Sequence, residues 1–193
     1  AGPSSAPLTA ALQNSGVILS NCFRGYIYNQ VPPGGDIEHI NKSDPDFHES
    51  LNILKADLNK FQPSCILLLG GTALWAAGVY HKVNVYRGTL FSGFNGRYKC
   101  IATFAPGYVQ KVWDEAPLFQ FDINRGCKES YRSELRLPLR KLEPSLTASE
   151  VLARLSAIVP GTITSVDIEG GVPNPEETTH KNLNGVTCIG IST

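Results

Sequence analysis

The most constraining stretch of this sequence is residues 47–79. Phe47, Leu51, Leu54, Leu58 and Phe61 recur at spacings of 4, 3, 4 and 3, the stripe of an amphipathic helix. Ser43 or Asp44 stands where a cap belongs, and Pro45 falls near the first turn. Pro63 stops that helix, and Cys65-Ile66-Leu67-Leu68-Leu69 follows as a continuous apolar run, as expected of a strand buried on both faces. Gly70-Gly71 makes a turn, and residues 72–79 restart as a helix. Helix, buried strand, glycine turn and helix together predict a layered α/β domain with a mainly parallel central sheet.

The flanking segments extend this reading. Residues 8–12 predict a short helix, and residues 17–19 lead toward an aromatic, strand-like stretch at 26–28 that Pro32-Pro33-Gly34-Gly35 ends. Residues 83–91 and 98–104 predict further strands joined through a turn at 93–96, and residues 108–113 and 117–135 predict the helices that close the domain. From 138 to 149 the chain reads as a connector, followed by a helix at 149–158 capped by Ser149 or Thr147. Residues 163–168 and 186–192 predict a second pair of strands around a polar, proline-rich loop at 170–185.

At 193 residues the chain suits one domain, or one domain plus a fragment, and 42% hydrophobic residues suffice for a core, which excludes disorder over most of its length. Seventeen Lys and Arg balance seventeen Asp and Glu, so nucleic-acid contact has to come from a local patch rather than a global field. No apolar run approaches the roughly 18–20 residues of a membrane span, so no membrane partner is expected. The opening Ala1-Gly2-Pro3-Ser4-Ser5 has neither an initiator Met nor a secretory signal, which suggests a trimmed chain or a fragment. Five scattered cysteines without a C-x-x-C pair point to reduced thiols in a cytosolic protein, with no disulfide framework, zinc site or iron–sulfur cluster.

Asp167 and Glu169 form a D-x-E pair in a predicted strand. Residues i and i+2 share a face, so the two carboxylates suit a hard divalent cation, Mg²⁺ or Mn²⁺; two solvated acids at a strand end are the plainer alternative. Between residues 124 and 141, Arg125, Lys128, Arg132, Arg136, Arg140 and Lys141 outnumber Glu129 and Glu134. The first four, at spacings of 3, 4 and 4, suit one helical face turned to phosphates, or an ordinary solvated face. Gly70-Gly71 lacks the rest of any phosphate-binding fingerprint and reads as a tight strand-to-helix turn. The four histidines show no metal spacing, and no nucleophile and base can be paired.

Two resemblances organise these features. The run from Ile163 to Glu169, then a loop, then Val186 to Ser192, resembles the opening hairpin of DEDD-type 3′→5′ proofreading exonucleases, whose first motif is the D-x-E pair. That resemblance makes Asp167 and Glu169 metal ligands, the cation binding only if the exonuclease site is completed. A whole exonuclease domain of about 150–200 residues does not fit in the thirty-odd that remain, so the chain is expected to hold its first two strands only. Upstream, Tyr26 to Gly35, Gln62 to Ala73, Tyr86-Arg87-Gly88 and Ile101 to Val109 resemble, in that order, the motifs of the uracil-DNA glycosylase superfamily. Pro117 to Asp122 and the connector are similar to phage family A DNA polymerases that carry such a domain ahead of their exonuclease. The implied organisation is a glycosylase-like three-layer α/β sandwich at 6–140, a connector with a helix at 141–160 and an incomplete exonuclease hairpin at 161–193.

Departures from the family pattern shape the functional expectation. Ala105 stands where the family's Thr-His-Pro loop carries a catalytic histidine, and a methyl group neither hydrogen-bonds a uracil oxygen nor stabilises a departing anion. The base-recognising Asn falls on Tyr26, with Asn29 as the alternative if the alignment slips by three. The water-activating motif is expected upstream of Leu8, where this chain has no room for it, and the cysteines of the iron–sulfur members are missing from their places. The resemblance therefore implies a degenerate domain that keeps DNA-backbone contacts through Pro106, Gly107, Tyr108 and Lys111, with Arg87 nearby and Arg125, Lys128 and Arg132 as further cations. Tyr108 either stacks on a base or fills the core. The expected partners are DNA and the remaining exonuclease and polymerase domains, in the cytoplasm of a phage-infected host. Two other readings stay open: an active exonuclease or glycosylase completed by another chain, and a structural module that touches only other polymerase domains.

Overall fold

A computed structural model describes residues 5–32, 37, 40–137, 146–170 and 186–192, with 165–170 and 186–192 described through their backbone. The chain divides into two units, Ala1–Pro138 and Leu139–Thr193. The turn at 33–35, Arg140, Lys141 and the loop at 171–185 lie outside the described residues. Among the described residues, no helix is long and apolar enough to cross a membrane.

The first unit is a mixed α/β fold. In chain order it runs through helix α1 (Ala6–Asn14), a 3-10 turn (Leu19–Asn21), helix α2 (Pro45–Phe61), strand β1 (Ile66–Leu69) and helices α3 (Gly71–Ala76) and α4 (Val83–Tyr86). Strands β2 (Leu90–Gly93) and β3 (Tyr98–Thr103) follow, then helices α5 (Pro106–Lys111) and α6 (Ala116–Ser130). The three strands form an open sheet in the order β1-β3-β2. β1 pairs parallel with β3, Ile66 opposite Cys100 and Leu69 opposite Thr103, whereas β2 pairs antiparallel with β3. The sheet is thus half parallel and half antiparallel rather than mainly parallel.

Helix α2 follows its sequence stripe closely. Asp44 caps it, its Oδ1 accepting from the Asp46 N–H at 2.9 Å, and Pro45 occupies the first turn, where the missing N–H has no partner to lose. Phe47, Leu51, Leu54 and Leu58 are buried, each worth about 1.5–3 kcal/mol of transfer free energy. Gln62 ends the helix in the left-handed conformation, and its N–H bonds back to the Leu58 carbonyl at 2.8 Å.

Elsewhere tertiary packing overrides local pattern. Residues 26–28 form no strand; their segment lies on α2, with Phe23 stacked on Phe61 at 5.0 Å, Tyr28 tilted against Phe47 at 6.3 Å, and the Asn29 N–H bonded to Ser50 Oγ. Residues 83–86 make a helical turn instead of a strand, because Val83 and Tyr86 pack into the core and Gly88, at φ 68°, redirects the chain before β2 begins. The strand buried along its whole length is β3, in the centre; β1, at the edge, buries only Leu68 fully.

The strands put alternate residues on opposite faces. Leu68, Tyr98, Cys100 and Ala102 join Leu54 and Leu58 of α2, whereas Leu67 and Leu69 pack with Ala11, Leu12, Phe119, Ile123 and Cys127 of α1 and α6. Lys99 also faces α6, and its ammonium is almost completely buried. Its Nζ donates to the carbonyls of Glu129 at 2.8 Å, Glu134 at 3.2 Å and Arg132, with the Glu129 carboxylate at 3.3 Å. These carbonyls converge because the chain leaves the helix at Ser130, so α6 stops short of the predicted 135 and Arg132 and Arg136 lie beyond it. Lys99→Met should leave the converging carbonyls without a donor and lower stability by about 3 kcal/mol; urea unfolding should show a lower midpoint at unchanged slope.

In the second unit, helix α7 (Ala148–Ser156) starts with a capping box: Glu150 N–H donates to Thr147 Oγ1 and the Thr147 N–H to the Glu150 carboxylate. The Thr147 hydroxyl, donating to Glu150 Oε2 at 2.6 Å, and the Thr147 N–H hold the Glu150 carboxyl below its ordinary value. Strands β4 (Ser165–Gly170) and β5 (Val186–Ser192) pair antiparallel, Asp167 opposite Gly190 and Glu169 opposite Cys188, with a register shift between Glu169 and Gly170.

Candidate functional site

The parallel pair β1 and β3 brings two loops together at its carboxyl end, where open α/β sheets commonly bind ligands. The Gly70 N–H donates to the Thr103 carbonyl at 2.9 Å, fixing the Gly70-Gly71 turn against the segment that leaves β3. Gly70 sits at φ 93°, so glycine is required there for conformation, and a side chain would begin in a tight space 3.1 Å from the Ala105 methyl. Arg87 bridges to Ala102 from the other side, and the Gly88 N–H bonds to the Ala102 carbonyl at 2.8 Å. Three motifs distant in sequence thus meet around the end of β3.

Beneath them lies a buried carboxylate. Asp122, on the inner face of α6, has no solvent-exposed surface. Thr103 Oγ1 donates to its Oδ2 at 2.8 Å, and Arg87 grips it in a fork, Nε to Oδ2 at 3.1 Å and Nη2 to Oδ1 at 2.8 Å. Arg87 also donates to the Leu118 carbonyl, and Arg125 Nη1 donates to the Gly88 carbonyl at 2.8 Å. Burial pushes the Asp122 carboxyl up; the hydrogen bonds from Thr103 and the Arg87 charge pull against it.

Above the carboxylate the network turns outward. The Arg87 guanidinium stands 5.6 Å from the centre of the Phe104 ring, and that ring meets Tyr108 at 5.2 Å. Tyr108 remains 40% exposed, so it is neither a core aromatic nor a free one: one side leans on Phe104 and the rest faces solvent. Lys111, one turn on in α5, is exposed, and Pro106 and Gly107 are half-buried at the start of that helix.

The sequence-derived residues therefore fall into separate groups. Ala105, Pro106, Gly107, Tyr108 and Lys111 form one rim beside Gly70. Arg87 is turned inward onto Asp122, and Arg125, although exposed, spends one donor on Gly88. Lys128 is exposed on α6, whereas Arg132 follows the helix and Arg136 pairs with Glu134 at 2.7 Å. The predicted stripe of four cations on one helical face is therefore absent, because α6 ends on Lys99 before the stripe is complete. Tyr26 is 63% exposed in the segment that packs on α2. The sequence reading passed over Asp122, although an acid between Phe119 and Ile123 on an otherwise apolar helix face was its visible sign.

Asp167 and Glu169 stand two residues apart on β4, and their register partners Gly190 and Cys188 bring no further carboxylate. Two oxygen-bearing side chains leave most of the coordination of Mg²⁺ or Mn²⁺ unfilled, and among the described residues no group of three or more His, Cys, Asp or Glu is placed to hold a metal ion. Burial pushes the Cys65 thiol up to about 11 and the Cys100 thiol up to about 12, which keeps both protonated near neutral pH. No family model matches the chain, and no curated protein matches it in sequence.

Two outcomes test the buried network. Because folding raises the Asp122 pKa, its contribution to stability is fully present below the ordinary carboxylate range and is lost as pH rises through the raised value. The stability gap between the parent protein and Asp122→Asn should therefore narrow as pH rises, read by urea unfolding at a series of pH values. Gly88→Ala would force a side chain at φ 68° and to 2.7 Å from Asp122 Oδ1; a loss of about 2 kcal/mol is expected in the same assay.

Proposed function

We propose that the first unit is a catalytically degenerate, three-layer uracil-DNA glycosylase-like domain that binds DNA or organises it. On this reading it belongs to the N-terminal part of a phage-type DNA polymerase, in the host cytoplasm, and the β4–β5 hairpin opens a 3′→5′ exonuclease domain. The observation that carries the proposal is the Ala105 rim. The segment that in the glycosylase family bears a catalytic histidine lies at the end of a parallel strand, beside the Gly70 turn, with a methyl group in the histidine's place. Helices packed on both faces of the sheet suit the three-layer expectation.

Chemically the rim can hold a phosphate backbone but cannot expel a base. Tyr108 offers a partly exposed ring and Lys111 a cation, and neither needs a general acid or a metal to act on a phosphodiester as a contact. A base departing as an anion would meet Ala105, which donates no hydrogen bond. The exonuclease cation would be held by Asp167 and Glu169 together with ligands supplied by further residues, where it would activate water for phosphodiester cleavage. The first unit and the hairpin therefore make separable claims.

A specific observation favours a second reading, the structural module that contacts other polymerase domains: Arg87 and Arg125 both direct donors into the fold. Titration of labelled single-stranded and duplex DNA, with and without uracil and with Mg²⁺ present, decides between the two. The proposal expects affinity that falls with salt, no uracil release and no trimming of ends. Lys111→Ala should lower the salt slope for duplex by about one and weaken binding evenly across sequences. Salt-independent or undetectable binding would support the structural module, and uracil release would overturn the degenerate assignment.

A further inference from the structure

A second surface of the first unit carries chemistry that the rim does not explain. A cleft of about 280 Å³ is lined by Lys42, Gly71, Trp75, Tyr80, His81 and Lys82. It adjoins the rim, since Gly71 follows the Gly70 whose N–H bonds to the Thr103 carbonyl, two residues before Ala105. The cleft is built by the end of α3. The Gly78 N–H bonds to the Trp75 carbonyl and the Val79 N–H to the Leu74 carbonyl, with Gly78 at φ 93°, so the chain folds back and sets Tyr80 beside Trp75.

The side chains divide the work. Trp75 is fixed from below by Phe47 at 5.6 Å, and Lys42 Nζ stands 4.7 Å from the centre of its ring. Tyr80 meets Trp75 edge-on at 6.2 Å and keeps 77% of its surface exposed, a large aromatic held in place yet turned to solvent. His81 stacks on Tyr86 at 5.6 Å with the rings nearly parallel. Among the described residues, no acidic side chain lines the cleft. Asp44, near Lys42 in sequence, is turned to the start of α2, where it accepts from the Asp46 N–H.

Two lysines, a histidine and a braced, exposed aromatic ring around a cleft suited to one nucleoside unit define a recognisable chemistry. Phosphates need the cations, and a base needs the ring face. An acidic peptide would use Lys42 and Lys82 but leave Tyr80 idle, and free phosphate would do the same. We infer that this cleft holds one nucleotide of a single strand, its base stacked on Tyr80 and its flanking phosphates on Lys42 and Lys82. The inference rests on the DNA-binding reading above and names the form of nucleic acid: a single strand led from the rim into the cleft, rather than intact duplex.

Trp75 provides the readout. In a Trp113→Phe background, a short oligothymidylate should quench the remaining tryptophan, with affinity falling as salt rises. Tyr80→Ala should weaken single-strand binding roughly tenfold and Tyr80→Phe should restore it. Lys82→Ala should lower the single-strand salt slope by about one, and both substitutions should leave duplex binding through Lys111 unchanged. Tyr80 and Lys82 are exposed, so an unchanged circular dichroism melt checks that the variants fold. If duplex and single strand bind but neither Tyr80→Ala nor Lys82→Ala alters single-strand affinity, the cleft assignment falls while the rim proposal stands. If the single strand binds through Tyr80 and Lys111→Ala changes neither single-strand nor duplex affinity, the rim proposal falls and the cleft remains. Equal quenching by inorganic phosphate or polyglutamate, or no quenching by any probe, would overturn the cleft as a nucleotide site.

Discussion

The buried Asp122 carboxylate holds the functional end of the first unit together. An ionised group without access to water costs several kcal/mol unless it is paired and hydrogen-bonded, and Asp122 meets that demand from two directions at once. Thr103 binds it from the last residue of the central strand, and Arg87 binds it from the segment between α4 and β2. The same carboxylate therefore sets α6 against β3 and holds the Arg87-Gly88 turn beside Ala102. Without that turn, β2 would not be delivered to its edge of the sheet.

This arrangement also explains why the rim is presented as it is. Arg87 is not spare charge for a ligand, because its fork is filled by Asp122; instead its plane supports Phe104, and Phe104 supports Tyr108. A buried ion pair thus ends, through two ring contacts, in a partly exposed tyrosine at the mouth of the parallel strands. Lys99 plays the corresponding part at the carboxyl end of α6. Its ammonium gathers the carbonyls after Ser130 and fixes where the helix stops. One acid on the helix and one base on the strand thereby tie α6 to β3 and gather the carbonyls where the helix ends.

Local chemistry made part of this legible from the sequence. The α2 stripe, its Asp44 cap and the apolar run of β1 were visible because each depends on neighbours within a turn or a few residues. The same holds for the Thr147 cap of α7. Residues 26–28 and 83–86 were misread because aromatic and β-branched side chains favour strands only where a partner strand is at hand. Here the partner was a helix surface for the first segment and a core pocket for the second. The stripe of basic residues from Arg125 to Arg136 was misread for the same reason: helical spacing has no meaning past the point where Lys99 ends the helix.

The sequence by itself determined the run from α2 through β1 to α3, the order of the strand-end motifs and the absence of a histidine at position 105. Tertiary structure alone decided which charged groups are turned inward and which remain for a partner. Arg87 and Asp122 lie 35 residues apart, and nothing local to either tells whether water or a counter-charge will satisfy it. That choice follows from how deeply each group is buried and what the fold brings beside it. The grouping of Lys42, Trp75, Tyr80 and Lys82 around one cleft likewise exists only because Gly78 folds the chain back at the end of α3.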